Sequence, residues 1–249
     1  MTGAAGPKVP IGKLLFPLLF SLGLCTGNAL AVNPSGHSSE FQGWHQAQPD
    51  TFQEHQLLYN GRVWQNLFYQ VEGNQFLFSG EFLPGSVTMN GKKFSGISLR
   101  YDLYKDEILT PVSPGVILQL NKELVDSFSF VYLQKVYRFK RMPEDGAAGQ
   151  QGYVRVLCDG ETGLYVKYQK KINRPGQENK RDAFYQLNRL YLVKGMEIYP
   201  ISGKHDLYRA FQEDKTALRE FIKENKIMIS EKEPESFVPV IRYYDSLHQ

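Results

Sequence analysis

The sequence predicts a mainly β fold, an antiparallel sandwich or partly open barrel with short C-terminal helices, α+β overall. Three observations lead there. From Leu57 onward, short apolar-aromatic runs are separated by turn dipeptides. The 249-residue chain carries 15 Tyr and 16 Phe, residues that favour strands. Only near the C-terminus, from Leu207, does the apolar spacing lengthen from two to three or four residues.

Ahead of the β region, residues 1–31 read as a signal peptide. Lys8 and Lys13 form a charged start, no acidic residue is present, and Leu14 to Leu24 form an apolar run. That run holds Pro17 and Gly23 and falls short of the roughly 20 apolar residues a spanning helix needs. Ala29-Leu30-Ala31 then places small side chains at the −3 and −1 positions of a cleavage site after Ala31. A lipoprotein site at Cys25 is the weaker alternative, because Leu24 stands where a small residue is required. The expected location is periplasmic or secreted.

Cleavage after Ala31 leaves 218 residues with 27 basic and 26 acidic side chains, a near-neutral body with no electrostatic reason to bind nucleic acid. One cysteine, Cys158, remains, so no internal disulfide can form. Asn33-Pro34-Ser35 is disqualified as a glycosylation site by its proline. Few cysteines and no usable sequon point to a bacterial envelope or secreted protein.

Residues 32–56, rich in Ser, Gly, Gln, Pro and His without periodicity, are expected to form a flexible leader. The β-rich region 57–142 opens with an expected hairpin of Phe68–Val71 and Gln75–Phe78 about Glu72-Gly73-Asn74. Its clearest hairpin is Ser86–Met89 and Lys92–Phe94 about Asn90-Gly91, a pair suited to the two positive φ angles of a type I′ turn. Ser98–Tyr104, Val116–Leu120, Ser127–Leu133 and Val136–Arg141 continue the series. Pro143–Gly152 is a polar, Gly-rich loop and a possible seam.

Region 153–249, which can form one continuous domain with 57–142, begins with strands Tyr153–Cys158 and Gly163–Ile172. In the second of these, Leu164, Val166, Tyr168 and Ile172 alternate with Tyr165, Lys167, Gln169 and Lys171, which predicts one core face and one wet face. Phe184–Val193, a Lys194-Gly195 turn and Met196–Ile201 bring the total to about ten strands or more. Asp214 is placed to cap a helix bearing Leu218, Phe221 and Ile222. Ser236 is placed to cap a last helix with the stripe Val240, Ile241, Tyr244 and Leu247, expected to pack on the sheet. That helical end, and strands mostly shorter than 9 to 11 residues, depart from an outer-membrane barrel.

Chemistry is sparse in this pattern. The histidines His37, His45, His55, His205 and His248 never adopt metal-ligand spacing, and no cofactor, metal or catalytic residue is assigned. Gly85–Lys92 has five residues between its glycines where a phosphate loop has four, and Ser98 lacks the closing glycine of a nucleophile elbow. Asp102, Asp106 and Glu107 are close enough for paired carboxylate chemistry, but their setting reads as an exposed turn. Cys158 shares a strand face with Val154 and Val156 and reads as a small buried hydrophobe. Lys167, Lys170, Lys171, Arg174, Lys180 and Arg181, against Glu178 alone, read as a solvated basic face that could meet an anionic partner.

The phrases "YNGRVWQNLFYQVEGNQFLF", "ILTPVSPGVILQLNKELVDSF", "LYVKYQKKI" and "FVPVIRYYDS" together resemble a widespread type of exported protein from Bacteroidota, over nearly all of the mature chain. The resemblance implies an envelope or secreted location and a β-rich body with terminal helices. It carries no activity and no catalytic residue. Three function classes follow: first a non-catalytic envelope or secreted protein, structural or interaction-mediating, with an unidentified envelope partner; then a periplasmic carrier of an apolar ligand; then an enzyme with an unrecognised carboxylate site. No transmembrane segment is expected in the mature chain.

Overall fold

The computed structural model describes residues 56–142, 151–175 and 181–248. Ala29, Ala31, Cys25 and the leader up to residue 55 lie outside the described residues. Among the described residues eleven strands pair antiparallel throughout: β1 (Arg62–Val63), β2 (Leu83–Met89), β3 (Lys92–Asp102), β4 (Glu107–Ser113), β5 (Val116–Gln119), β6 (Val125–Tyr132), β7 (Lys135–Met142), β8 (Gly152–Asp159), β9 (Thr162–Asn173), β10 (Ala183–Lys194) and β11 (Glu197–Ile201). Their order is β1-β5-β4-β3-β2-β6-β7-β8-β9-β10-β11. β7 pairs with β8 across the 143–150 connection, so the predicted seam does not divide the sheet.

Long β3 changes partners along its length. Its first part pairs with β2 and its last three residues with β4. Beyond that switch the sheet curls back on itself, because Lys170 N of β9 donates to Leu103 O just past β3 (3.2 Å). The chain at 72–77 fastens the same side: Leu77 N donates to Tyr101 O, Leu103 N to Gln75 O, and Glu72 pairs in parallel with Ala183. β3, β2, β6, β7, β8 and β9 therefore form a ring, the partly open barrel of the two predicted architectures. Segment 68–78 is this clasp and not the predicted hairpin about Glu72-Gly73-Asn74.

The ring is filled by aromatic side chains. Phe128 and Phe139, cross-strand partners, stack at 4.6 Å, while Tyr101 and Tyr153 meet Phe128 edge-on, each at 5.2 Å. Such contacts add about 0.5 to 1.5 kcal/mol each beyond the apolar area they bury. The Asn90-Gly91 hairpin is as predicted, with φ of 48° and 76°. β6 and β7 turn through Leu133 and Gln134, both at positive φ with no glycine to mark the turn in the sequence.

Strand β9 departs from its predicted alternation. All seven residues from Thr162 to Tyr168 are buried, because the ring interior takes one face while Met142, Val154 and Tyr165 form a second small cluster on the other. A register shift between Val156 and Cys158 also moves Cys158 off the face of Val154, and it packs against the main core. Its thiol is pushed up by burial against the opposing effect of Arg242.

The C-terminal helices α1 (Lys204–Ala210), α2 (Lys215–Glu224) and α3 (Val238–Leu247) cover the sheet, α3 lying on β8 and β9. Val240, Ile241 and Tyr244 are buried as predicted, whereas Leu247 is 43% exposed and leaves the stripe. Neither expected cap acts through its side chain. Ser236 lies in a 3-10 turn (Pro234–Phe237), and its Oγ donates to Ser230 O and accepts from Ser230 N. Asp214 directs Oδ2 to His248 Nε2 at 3.3 Å, tying the start of α2 to the end of α3. Ile241→Ala should therefore cost about 2 to 5 kcal/mol in chemical denaturation, against less than about 0.5 for Leu247→Ala. Equal effects would place the stripe elsewhere.

A charged latch fixes the 3-10 turn to the ring. Arg155, buried in β8, donates through Nη2 to Glu235 (2.7 Å) and through Nη1 to Tyr168 Oη (2.9 Å), with its guanidinium 4.3 Å from the Tyr137 ring centroid. Lys135 also pairs with Glu235. Partial burial pushes the Glu235 carboxyl up, but Lys135 and Arg155 outweigh it and hold it at about 2, below its ordinary 4.5. A depressed carboxyl gives stability that is present above the unfolded value and is lost as pH falls toward the folded one. Melts between pH 5 and 2 should thus fall less steeply for Glu235→Gln than for the parent. Parallel curves would contradict the latch.

A polar cleft over a buried ion cluster

Tyr101 ends the aromatic column of the ring at its β3–β4 side, where the chain turns through residues 103–106. Asp102, fully buried, holds that turn by accepting from Tyr104 N (2.9 Å) and Lys105 N (3.0 Å) through Oδ1. Asp106 itself adopts φ of 58°, a left-handed conformation that Asp tolerates better than most residues. This aims its carboxylate back at the ring mouth. Asp102 and Glu107 pair across the hairpin and are pushed up by burial. The three carboxylates predicted to share an exposed turn are thus at least partly buried and have separate surroundings.

Asp106 is the centre of the cluster. Its Oδ1 accepts from the Tyr101 hydroxyl and from Lys167 Nζ (3.0 Å), and its Oδ2 accepts from Lys122 Nζ (2.8 Å). Lys167 Nζ also donates to Tyr153 O at 3.1 Å. Burial pushes the Asp106 carboxyl up, but the Lys167 ammonium and the Lys122 and Tyr101 hydrogen bonds hold it below the usual carboxylate range. Burial lowers the Lys167 ammonium, with Asp106 opposing. The Tyr153 hydroxyl is pushed up to about 12, chiefly by burial, and so stays protonated at neutral pH.

Gly152 makes room for this arrangement. At φ of 88°, a Cβ placed on it would lie 1.8 Å from Asp106 Oδ2 and 2.9 Å from Lys167 Nζ. Lys167, from the outer face of β9, thus reaches Asp106 past the first residue of β8. The basic face predicted around it is broken up accordingly. Lys167 is buried, Lys170 donates to Asn74 O (2.7 Å), and Arg174 pairs with Asp182 (3.5 Å), while Lys171 and Arg181 are exposed. Glu178 and Lys180 lie outside the described residues.

Above the cluster opens a cleft of about 920 Å³. Its walls carry the cations Arg62, Lys122, Arg141 and Lys167 against the acids Asp106 and Glu123. The amide residues Asn60, Gln119, Asn121, Gln151 and Gln169 line it as well, with Leu103, Leu120 and Met142 as its aliphatic residues. Arg141 is steadied by Tyr153, whose hydroxyl accepts from Nη2 at 3.3 Å. Tyr104 stands at the wall, its ring held edge-on by Phe68 (4.9 Å) and Phe184 (5.6 Å). Sequence reasoning missed this site. Its signal was Lys167 within the apolar run Leu164-Tyr165-Val166-Lys167-Tyr168, a lysine where a buried strand needs a partner.

Among the described residues no group of three or more His, Cys, Asp or Glu side chains could hold a metal ion, and no helix is long and apolar enough to cross a membrane. No protein-family model, curated protein or solved structure matches the chain.

Proposed function

We propose that this is an exported, non-catalytic binding protein of the bacterial envelope or its surroundings, and that the cleft over Asp106 receives a polar ligand or partner. The observation that carries the reading is the contrast between the two spaces the ring offers. Its interior is occupied by Phe128, Phe139, Tyr101 and Tyr153, whereas its mouth opens into a large space lined by charges and amides. A carrier of an apolar ligand needs the reverse, an apolar cavity that replaces water. Both Asp106 oxygens are already engaged by lysines and a tyrosine, which suits a carboxylate that holds side chains in place better than one that accepts a proton from substrate. The exported location rests on the charged start, apolar run and Ala29-Leu30-Ala31 exit.

The test uses the full chain and two extracts of host envelope, one of water-soluble low-mass compounds and one of lipids. The soluble extract should raise the melting temperature of the parent, and Gln169→Trp, which places a bulky ring in the cleft, should abolish that rise. Stabilisation by the lipid extract alone would favour the carrier and overturn the reading.

A further inference from the structure

We infer that the cleft takes an acidic oligosaccharide, a run of hydroxyl-rich sugar rings bearing carboxylates. This rests on the polar-ligand reading above. Charge is the first reason. The walls hold four cations and two acids, and Asp106 is bound up with Lys167 and Lys122. Lys122 spends one donor on Asp106, is 41% exposed, and has further N–H groups to offer. Arg62 lies on the short edge strand β1 at the rim. An anion held by Lys122 and Arg62 gains charge-assisted hydrogen bonds without displacing Asp106 from Lys167.

The second reason is the amide content. Asn60, Gln119 and Gln169 can each offer a donor and an acceptor, as a pair of neighbouring sugar hydroxyls does, whereas Asn121 Oδ1 already accepts from Glu123 N. A phosphate or sulfate ester accepts only and would leave the acceptor half of those three amides unused. A peptide docked as an added strand takes its specificity from pockets for alternate side chains. Leu103, Leu120 and Met142 give this space little apolar wall for such pockets. The third reason is Tyr104, 36% exposed and braced by Phe68 and Phe184. A ring braced at the wall in this way offers apolar area to the C–H face of a sugar ring while leaving its hydroxyls to the amides. At about 920 Å³ the space is near the upper end of small-molecule sites, which run to about 1,000 Å³, and so has room for more than one ring.

The experiment is calorimetric titration of the full chain with three probes of matched length: a galacturonate tetrasaccharide, the neutral galactose tetrasaccharide, and a tetraglutamate peptide. The acidic saccharide should bind at least about tenfold tighter than the neutral one, as hydrogen bonds to a charged group imply, and tighter than tetraglutamate, which carries the charge without the ring hydroxyls. Arg62→Ala and Lys122→Gln should each weaken it about fivefold, the upper range for a partly exposed charge. Arg62 lies at the surface, so its variant reports on binding even if the Lys122 variant is unstable. Equal binding of both saccharides would overturn the role given to charge and leave the polar cleft standing. Preference for tetraglutamate would overturn the saccharide and again leave the cleft. Binding of none would overturn the inference, while the envelope-extract melts would still decide the broader reading.

Discussion

Replacing Asp106 by asparagine should destabilise the protein by about 3 to 5 kcal/mol, the usual cost of leaving a buried charge without its partner. Lys167 is the charge left behind. Its side chain is only 9% exposed, and its other acceptor is the Tyr153 carbonyl, a dipole in place of an ion. Lys122 can turn to water, and the Tyr101 hydroxyl can still bond to an amide, so the loss is concentrated at one ammonium. The pH dependence carries the same signature. Asp106 is held below its unfolded value, so its contribution is present above the ordinary carboxylate range, near pH 3.9, and fades as pH falls through the folded value. Asp106→Asn should lack that acid-dependent part. A variant within about 0.5 kcal/mol of the parent at pH 7 would mean that Asp106 and Lys167 are not an ion pair.

Gly152→Ala should cost nearly as much, about 2 to 4 kcal/mol, combining a backbone angle that alanine resists with a collision at the cluster. The atom in the way, Asp106 Oδ2, ends a short side chain with little reach to swing aside, and moving it breaks the Lys122 bond. The two substitutions should therefore be strongly non-additive, since both act through the same carboxylate. Denaturant melts of the single and double variants would measure this. Full additivity would show that Gly152 is needed for its backbone angle alone.

What the sequence disclosed of this fold followed the range of the interactions involved. Asn90-Gly91 announces its hairpin because the turn chemistry is local, Gly195 marks the next one although the turn falls at Gly195-Met196 with Lys194 still paired to Glu197, and the helical stripe Val240, Ile241, Tyr244 is set by its own period. β4 was hidden: Pro111 and Pro114 broke the pattern, although proline is tolerated where Pro111 stands, opposite Ile117 at a register irregularity. The clasp at 72–77 resembled a hairpin because its glycine and asparagine are turn residues. It runs instead between β3 and β10, a pairing that no local pattern encodes.

The cleft depends on still longer range. Asp106 and Lys167 are 61 positions apart and meet because the ring closes between Leu103 and Lys170. In one dimension Asp106 is a turn aspartate and Lys167 a lysine on an alternating strand, each with an ordinary solvent-facing role. Only the burial of both faces of β9 makes that lysine costly enough to require its partner.

Lysine and carboxamide side-chain NMR on the full chain, titrated with the galacturonate tetrasaccharide, tests most directly whether this protein meets its ligand at the mouth of the ring. Saturable shifts are predicted at Lys122, Gln119 and Gln169, with Lys135 and Lys140, which lie away from the cleft, unmoved. Saturable shifts at Lys135 or Lys140 with none at the cleft residues would contradict it.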